Sequence, residues 1–417
     1  MTQPGLVRRL GLTDAVVLGM GSMLGAGVFA AFAPAASAAG AGLLIGLAVA
    51  GVVAYCNAMS SARLAAVYPE SGGTYVYGRR RLGPVWGFLA GWGFVVGKTA
   101  SCAAMALTFG AYAWPAHPAL AAAGAVVVLT AVNCAGVTKT AGLTRVLVAV
   151  TLLALAAVVA AGLGGGAVDP AHLGGPVCSP AGIGQAAAVL FFAFAGYARI
   201  ATLGEEVREP ATTIPRAIPI ALAVVLAVYA TVAVTALATV GPAALASSPT
   251  PLADVVRSGT WAGLAPVVQV GAAVASAGVL LSLMAGIGRT TLAMARDGEL
   301  PAFLAAVHPR FRVPHRAELL LGVVVLVIVL VADVRGAIGF SSFAVLGYYA
   351  IANASAWTLD RHDGGRLHRP VAALGLVGCV VLAFTLPGPT VLAGAAVLVA
   401  GLVGRAVVTQ LRARGRG

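Results

Sequence analysis

A cluster of glycines near the N-terminus is the first feature of the sequence that could bind a ligand. Gly19, Gly21, Gly25 and Gly27 fall within an otherwise apolar stretch. Each glycine weakens a helix by about 1 kcal/mol, and a helix break inside a membrane persists only where the freed backbone groups find partners. N–H groups that begin the next half-helix suit a carboxylate, and freed carbonyls suit an ammonium or a metal cation. The alternative interpretation is close helix packing through small residues.

A second glycine lies among aromatic side chains at 191–197, in the order Phe-Phe-Ala-Phe-Ala-Gly-Tyr. Aromatic residues at such spacing usually belong to a core. The position along the chain favours a second break instead, because this segment is the sixth apolar segment and the glycine cluster lies in the first. Interrupted segments at matching positions of two five-segment halves are typical of an inverted repeat with a binding site between the halves.

Lys98 is the only basic residue deep within an apolar segment. A lysine at the centre of a membrane helix costs about 2.5–3.5 kcal/mol on insertion scales. Both membrane surfaces are roughly 15 residues, or about 20 Å, away, so the side chain cannot reach either of them. We therefore expect Lys98 to face a polar cavity, to pair with another group, or to be neutral.

The composition indicates which elements must position these residues. Of the 417 residues, 60% are hydrophobic and 9% are charged, and the mean hydropathy is +0.97. Soluble domains are about 25% charged, and long apolar segments favour membrane helices over barrel strands. The sequence predicts an all-α integral membrane protein of about 12 transmembrane helices, near 13–36, 40–66, 84–114, 119–137, 142–163, 182–204, 216–240, 265–295, 317–334, 336–359, 370–386 and 389–406.

The distribution of basic residues supports this count. With the N-terminus in the cytoplasm, 23 of the 26 Lys and Arg residues fall inside, two fall outside, and Lys98 lies within the membrane. This split follows the positive-inside rule, places both termini in the cytoplasm, and accounts for the net charge of +13 without nucleic acid. Arg8, Arg9 and the apolar stretch after them imitate a secretion signal, and we interpret that stretch as a retained first span.

Four motifs, in order along the chain, together point to a known family. They are Gly-Ser-Met-Leu-Gly-Ala-Gly-Val-Phe at 21–29, Tyr-Pro-Glu-Ser-Gly-Gly-Thr-Tyr-Val-Tyr at 68–77, the segment at 191–197 with Glu-Glu-Val-Arg-Glu-Pro at 205–210 and Ile-Pro-Arg-Ala-Ile at 214–218, and Arg-Asp-Gly-Glu-Leu-Pro at 296–301. The set is specific, whereas any one motif alone is not. In these motifs the chain resembles the amino acid–polyamine–organocation permeases from residue 10 to about residue 315.

The resemblance implies one transmembrane domain of the LeuT type, with a 5+5 inverted repeat, discontinuous helices 1 and 6, and two additional C-terminal helices. The repeats would cover 10–163 and 182–359, helices 11 and 12 would cover 370–406, and a basic cytoplasmic tail would cover 407–417. The family moves amino acids or related amines by alternating access. The substrate carboxylate would meet N–H groups of helix 1 and the amine would meet carbonyls of helix 6. The expected binding residues are Met23, Leu24, Gly25, Ala26, Gly27, Lys98, Phe191, Phe192, Ala193, Phe194, Gly196 and Tyr197.

Departures from the family pattern bear on coupling. Proton-coupled relatives often carry a lysine in helix 5 where this chain has Thr151, so Lys98 is a candidate substitute. Ser276 and Ser282 in helix 8 offer hydroxyls to a sodium ion, although such hydroxyls more often bond their own helix. Relatives often carry an acid where this chain has Ala198. A charged Lys98 in the substrate pocket would disfavour a cationic substrate side chain and favour a neutral or acidic one.

Charges after helix 6 are candidates for an inner gate, against the alternative of solvated loop charges. They are Glu205, Glu206, Arg199 and Arg208. Proton symport and exchange stay open as mechanisms, with a polyamine or cationic amino acid antiporter as an alternative and a non-transporting membrane sensor as a third hypothesis. The spans lack the carboxylate pairs or histidine clusters of an enzyme. We expect no metal, no cofactor beyond a coupled proton or sodium ion, and no partner besides the substrate and the lipid bilayer.

Overall fold

The computed structural model describes residues 10–68, 72–136, 141–175, 179–197, 200, 207–360 and 368–414. Within these ranges all regular structure is helical, apart from one isolated parallel bridge between Leu10 and Val207. Nine of the helices there are long and apolar enough to cross a membrane. Two shorter apolar helices, Pro118–Cys134 and Pro180–Phe194, and the helix His315–Val331 complete twelve segments. The prediction of an all-α membrane protein of about 12 helices is confirmed.

The helices follow the predicted segments along the chain. They are α1 (Leu12–Met23), α2 (Ala26–Ala30), α3 (Phe32–Ala39), α4 (Leu43–Val67), α5 (Thr74–Arg81), α6 (Pro84–Ala113), α7 (Pro118–Cys134), α8 (Ala141–Gly164), α9 (Pro180–Phe194), α10 (Pro210–Ser247), α11 (Pro251–Arg257), α12 (Ala265–Arg296), α13 (His315–Val331), α14 (Val334–Trp357), α15 (His368–Thr385) and α16 (Gly388–Arg414). The predicted boundaries of the two repeats, at 10–163 and 182–359, stay a prediction.

Two helices differ from their predicted bounds for local reasons. The helix predicted at 216–240 extends over Pro210–Ser247 and bends at Gly241, whose φ of 77° lies in the left-handed region that glycine tolerates. The helix predicted at 182–204 ends at Phe194, and a turn occupies 195–197. The sixth predicted segment is therefore interrupted near its predicted glycine.

Large apolar side chains cover the outside of the bundle. Among those that are exposed are Val128, Leu153, Val331, Phe384 and Leu392. A water-facing surface would not present so many of them, whereas lipid would cover them at no cost. The outer face of the helices therefore fits a bilayer.

The long helix α6 lies at the centre of the bundle. It packs along both α12 and α14, and the short half-helix α2 touches α6 and α9. This arrangement brings one face of α6 to the interrupted first segment and to the end of α9. Residues on that face of α6 are therefore placed to act on both interruptions.

Candidate functional site

The first interruption lies at Leu24 and Gly25, between α1 and α2. Leu24 has φ −76° and ψ 79°, and Gly25 has φ −144° and ψ −144°, so neither residue continues the helix. Their N–H groups turn back to donate to the carbonyls of Met20 and Met23, at 2.8 and 2.9 Å. Both residues lie in the predicted glycine run, and the discontinuous first helix is confirmed.

The second interruption follows Phe194 at the end of α9. The Ala195 N–H donates to the Phe192 carbonyl at 3.3 Å, and the Tyr197 N–H reaches the Phe194 carbonyl at 3.4 Å, as in a tight turn. A helix that ends inside the bundle leaves its last carbonyls without helical partners. The partners of those carbonyls therefore show what this region can bind.

Close approach of the two interrupted segments explains two of the glycines. A methyl group at Gly27 would lie 2.5 Å from Ala193 Cα, and one at Gly196 would overlap the Ser22 carbonyl. The small-residue packing that the sequence offered as an alternative to a break is thus present together with the break. Gly27 and Gly196 hold the two segments together, so a substitution at either position changes packing as well as any binding.

The hydroxyl of Tyr229, on α10, links the two interruptions. It lies 2.7 Å from the Met23 carbonyl oxygen and 3.0 Å from the Ala193 carbonyl oxygen. A phenol has one proton, so it donates to one of these oxygens at a time. The two carbonyls, one from each interrupted segment, therefore converge on a single buried donor.

Lys98 is buried and reaches the second interruption. Its Nζ donates to the Ala195 carbonyl at 3.1 Å, and the Tyr349 hydroxyl donates to the same oxygen at 3.2 Å. No carboxylate lies within 4 Å of Lys98 in the described part of the chain. We expected Lys98 to face a polar cavity, to pair with another group, or to be neutral. The structure shows pairing, with the freed carbonyl of Ala195 as the partner.

A methionine occupies the start of the half-helix α2. The Ala26 N–H, a predicted contact for a substrate carboxylate, donates to Met105 Sδ at 3.2 Å. A thioether is a weak acceptor, and the methionine side chain is flexible enough to move aside. Met105 could not be selected from the sequence, because several methionines lie in apolar segments and periodicity does not show which one meets a break.

Aromatic rings enclose the region between the interruptions. Ring centroids lie 5.1 Å apart for Phe194 and Tyr229, 5.0 Å for Tyr197 and Tyr349, and 5.7 Å for Phe191 and Tyr349. All five side chains are fully buried, and Phe192, Met23 and Leu24 are buried as well. The structure thus brings the predicted binding residues together in an apolar region that is closed to solvent in this arrangement.

The coupling candidates behave differently from one another. The Thr151 hydroxyl donates to the Leu147 carbonyl of its own helix at 2.8 Å, which is the ordinary behaviour of a threonine in a membrane helix. Ser276 is fully buried on α12, and its hydroxyl has no hydrogen-bond partner among the described residues. Ser282 is half-buried on the same helix. Thr151 is therefore engaged by its own helix, whereas the Ser276 hydroxyl is available to a ligand.

Most of the gate candidates lie outside the described residues, namely Arg199, Glu205 and Glu206, as does Ala198. Arg208 is described and exposed, and its backbone N–H donates to the Leu10 carbonyl at 2.9 Å. This bond ties the chain before α10 to the start of α1. A salt bridge between Asp14 and Arg145 joins α1 to α8 at the same end. The sequence analysis did not select this pair, since each residue lies at a predicted span edge.

A second cluster of charged residues, Glu299 with Arg79 and Arg405, joins two of the family motifs. Glu299, with a buried side chain, forms ion pairs with Arg79 at 2.9 Å and with Arg405 at 2.5 Å. The Tyr75 hydroxyl donates to Asp297 at 2.6 Å. Burial and the Asp297 carboxylate raise the pKa of Tyr75, so the phenol keeps its proton and stays a donor. The cluster fastens α5 and the last helix, α16, to the segment after α12.

The fold and the paired interruptions define a class of protein, namely transporters whose helices break at the centre of the bundle. The amino acid permease family model matches residues 10–401, and the chain belongs to this family. The resemblance found in the four motifs is thereby confirmed.

Individual relatives agree on the class of protein and differ in the substrates they are named for. The chain is 64% identical to an uncharacterized transporter of Mycobacterium tuberculosis, over 99% of this chain and 93% of that protein. It is 28% identical to a branched-chain amino acid permease of Bacillus subtilis, over 77% and 74%. It is 29% identical to cationic amino acid transporter 4 of Homo sapiens, over 85% and 60%.

Proposed function

We propose that this protein is a secondary transporter of an amino acid with an uncharged side chain. It moves the substrate across the cytoplasmic membrane by alternating access, with both termini in the cytoplasm, and couples this movement to protons. The proposal combines membership of the amino acid permease family with the geometry of the two interruptions.

The observation that carries the proposal is the convergence of opposite backbone groups at the interruptions. The carbonyls of Met23 and Ala193 meet at the Tyr229 hydroxyl, and the N–H end of α2 begins at Ala26. Met23 and Ala26 are three residues apart, so their Cα atoms are at most about 11 Å apart. The carbonyl pair suits an ammonium, and the helix N-terminus suits a carboxylate. A zwitterion of amino acid size fits both.

The surroundings of this point support an uncharged substrate side chain. Phe191, Phe194, Met105 and Val279 line or adjoin the interruptions and are buried. The Lys98 ammonium lies at the second interruption and repels a further positive charge. We therefore favour a neutral substrate over a cationic one, although relatives named for either kind of substrate exist.

A proton fits the coupling role better than a sodium ion. The Thr151 hydroxyl is engaged by its own helix, and the two remaining candidates, Ser276 and Ser282, supply far fewer than the six or so oxygens that a hard cation collects. Two ionisable groups, Lys98 and Glu318, are buried in the bundle. Intramembrane ionisable groups are typical of proton pathways.

The proposal is tested by counterflow in proteoliposomes that contain the purified full-length chain. Vesicles preloaded with a neutral, acidic or cationic amino acid, or with a polyamine, are given a trace of the same labelled compound. Counterflow reports transport without requiring a gradient of the coupling ion. We expect a neutral amino acid to be taken up fastest, and uptake against a concentration gradient when the outside is made acidic.

Two matched tyrosine variants test whether the substrate binds between the two interruptions. Tyr229→Phe removes the hydroxyl between the two interruptions, whereas Tyr112→Phe removes an equally buried hydroxyl that lies 2.9 Å from the Phe29 carbonyl and away from the carbonyl pair. A phenol oxygen beside a bound ammonium accepts a hydrogen bond, and bonds to charged groups contribute about 1.5–3 kcal/mol. We expect Tyr229→Phe to raise the half-saturation concentration about tenfold or more, and Tyr112→Phe to change it less than twofold.

Each outcome has a distinct meaning. Preferred uptake of arginine or a polyamine would favour the cationic antiporter. Binding of an amino acid without counterflow would favour a non-transporting sensor. Equal effects of the two tyrosine variants would mean that the substrate site lies elsewhere.

A further inference from the structure

Glu318 is a buried carboxylate that the substrate site does not use. It lies in the first turn of α13 and is 2% exposed. Its carboxyl packs against α12 at Gly288, where an added methyl group would overlap Glu318 Oε1. Gly288 precedes the end of α12 at Arg296 by about two turns, which is about 12 Å. The carboxyl therefore lies inside the bundle and not at its rim.

No group in the described part of the chain neutralises a charge at this position. Glu318 Oε2 has no hydrogen-bond partner there, and Glu318 forms no ion pair within 4 Å. Arg289 on α12 is exposed and acts only at longer range. Cys102 on α6 and Cys134 on α7 are the ionisable groups that face it from the other two helices. An unpaired carboxylate costs several kcal/mol in such surroundings, whereas a protonated carboxyl does not.

Two histidines precede this carboxyl along the chain, one in the first turn of α13 and one in the segment before that helix. His315 lies one turn before Glu318, and its Nδ1 is buried without a hydrogen-bond partner among the described residues. The His308 ring lies 5.3 Å from the His315 ring, and its Nδ1 accepts the N–H groups of Arg310 and Phe311 at 3.2 and 3.3 Å. An imidazole nitrogen can accept or donate a proton. The two histidines therefore provide adjacent proton-exchanging rings between the loop and the first turn of α13.

The same carboxyl is linked to the substrate site through α6. Cys102 lies within electrostatic range of both Glu318 and Lys98, and it is one turn from Lys98 on α6. Lys98 in turn holds the Ala195 carbonyl at the second interruption. A movement of α6 or α12 that accompanies substrate binding would therefore change the surroundings of Glu318.

We propose that Glu318 is a proton-binding site that couples transport to protons at the cytoplasmic side, a role that rests on the transport function proposed above. The carboxyl holds its proton while α6, α12 and α13 are packed as they are here. When this end opens, the proton passes from the carboxyl oxygen to a His315 nitrogen, then to His308 and to water. Only O–H and N–H bonds break and form, and the carboxylate left behind is solvated by the opened cytoplasmic end.

The test uses reconstituted wild-type protein and the variants Glu318→Gln, Glu318→Asp and Glu209→Gln. Glutamine keeps the shape of the protonated carboxyl but cannot release a proton. Glu209 is an exposed carboxylate at the start of α10, so Glu209→Gln controls for the loss of one cytoplasmic negative charge. Each variant is assayed for counterflow and for accumulation of labelled substrate driven by an acidic outside.

We expect Glu318→Gln to keep counterflow within about threefold of the wild type and to lose accumulation driven by the pH gradient at least tenfold. Glu318→Asp should regain part of that accumulation, and Glu209→Gln should behave as the wild type does. His315→Gln should slow the initial rate of proton-driven uptake without lowering the final level, because a relay changes a rate and not an equilibrium. If Glu318→Gln does not fold, His315→Gln still tests the proposed proton transfer through His315.

Several results would overturn the inference. Wild-type accumulation in Glu318→Gln would remove the carboxyl from coupling. A wild-type initial rate of proton-driven uptake in His315→Gln would refute the proposed proton transfer from the carboxyl through His315. Counterflow by the wild type without any response to the pH gradient would refute the proton site and proton coupling, while leaving amino acid transport itself intact. Absence of counterflow for every compound tested would instead refute the transport function.

Discussion

Removing the two donors to the Ala195 carbonyl, singly and together, tests whether Lys98 is held by the second interruption. Lys98→Met keeps the length of the side chain without the ammonium. Tyr349→Phe keeps the ring that lies 5.0 Å from the Tyr197 ring and removes only the hydroxyl. Each single variant leaves the carbonyl with one donor, at 3.2 or 3.1 Å, and the double variant leaves it with neither.

The expected free energies follow from that geometry. A hydrogen bond from a charged donor contributes about 1.5–3 kcal/mol, and one from a neutral donor about 0.5–1.5 kcal/mol. Burying the Lys98 ammonium costs about 2.5–3.5 kcal/mol on insertion scales, so Lys98→Met alone should change the free energy of unfolding little or raise it. Tyr349→Phe alone should lower it by about 1 kcal/mol. The double variant additionally leaves a buried carbonyl unpaired, which costs about 1–3 kcal/mol more than the sum of the single changes.

The assay is reversible unfolding of the purified protein in mixed detergent, followed by tryptophan fluorescence for the four members of the cycle. Independent sites add within about 0.3–0.5 kcal/mol. Additivity within that range would refute the shared carbonyl, and with it the placement of Lys98 at the interruption. A Thr108→Val variant serves as the control, because its hydroxyl donates to the Ala104 carbonyl within the same helix α6.

Three further predictions concern substrate selectivity, the charged cluster around Glu299, and the proposed binding of the substrate carboxylate at the Ala26 N–H. Lys98→Met should raise counterflow of arginine relative to leucine about tenfold, because a fixed positive charge near the ligand is removed; an unchanged ratio would place Lys98 outside the pocket. Glu299→Gln, which weakens ion pairs to two arginines, should lower the midpoint of detergent unfolding, and a midpoint equal to that of wild type would show that the cluster adds nothing to stability. Met105→Leu removes the acceptor of the Ala26 N–H. The substrate carboxylate then no longer competes with the thioether, so the half-saturation concentration should fall by up to about fivefold. A rise in that concentration would mean that Met105 contacts the substrate favourably.

The breaks could be predicted from sequence because they depend on local chemistry. Gly25 and Gly27 each destabilise a helix by about 1 kcal/mol. The sixth segment also contains a glycine and lies at the matching position of the second half, and this predicted the second break. Lys98 could be assigned to the interior because the cost of a charge in lipid leaves few alternatives. These inferences need no knowledge of how the helices are arranged.

The remaining site residues could not be predicted because they depend on how the helices pack. Tyr229 and Met105 lie on helices that are apolar on all sides, so no hydrophobic period shows which face meets a break. Glu318 lies at the predicted edge of a span near 317–334, where a carboxylate is usually solvated at the membrane surface. The distinguishing feature is the packing of α13 against α12 at Gly288, which only the structure provides.

Lys98 and Glu318 are a buried basic group and a buried acidic group that do not form an ion pair with each other. Selection for stability alone would favour either pairing the two groups or replacing both with apolar residues. A buried ion pair adds little to the free energy of unfolding compared with well-packed apolar side chains. Their separation is what the proposed coupling mechanism requires. Lys98 is bound to a carbonyl of the interrupted segment, while Glu318 Oε2 is bound to nothing in the described part of the chain. In the mechanism proposed above, a direct pair would hold α13 to α6 throughout the cycle, whereas two separate groups would let the substrate at one end and a proton at the other each shift the position of α6.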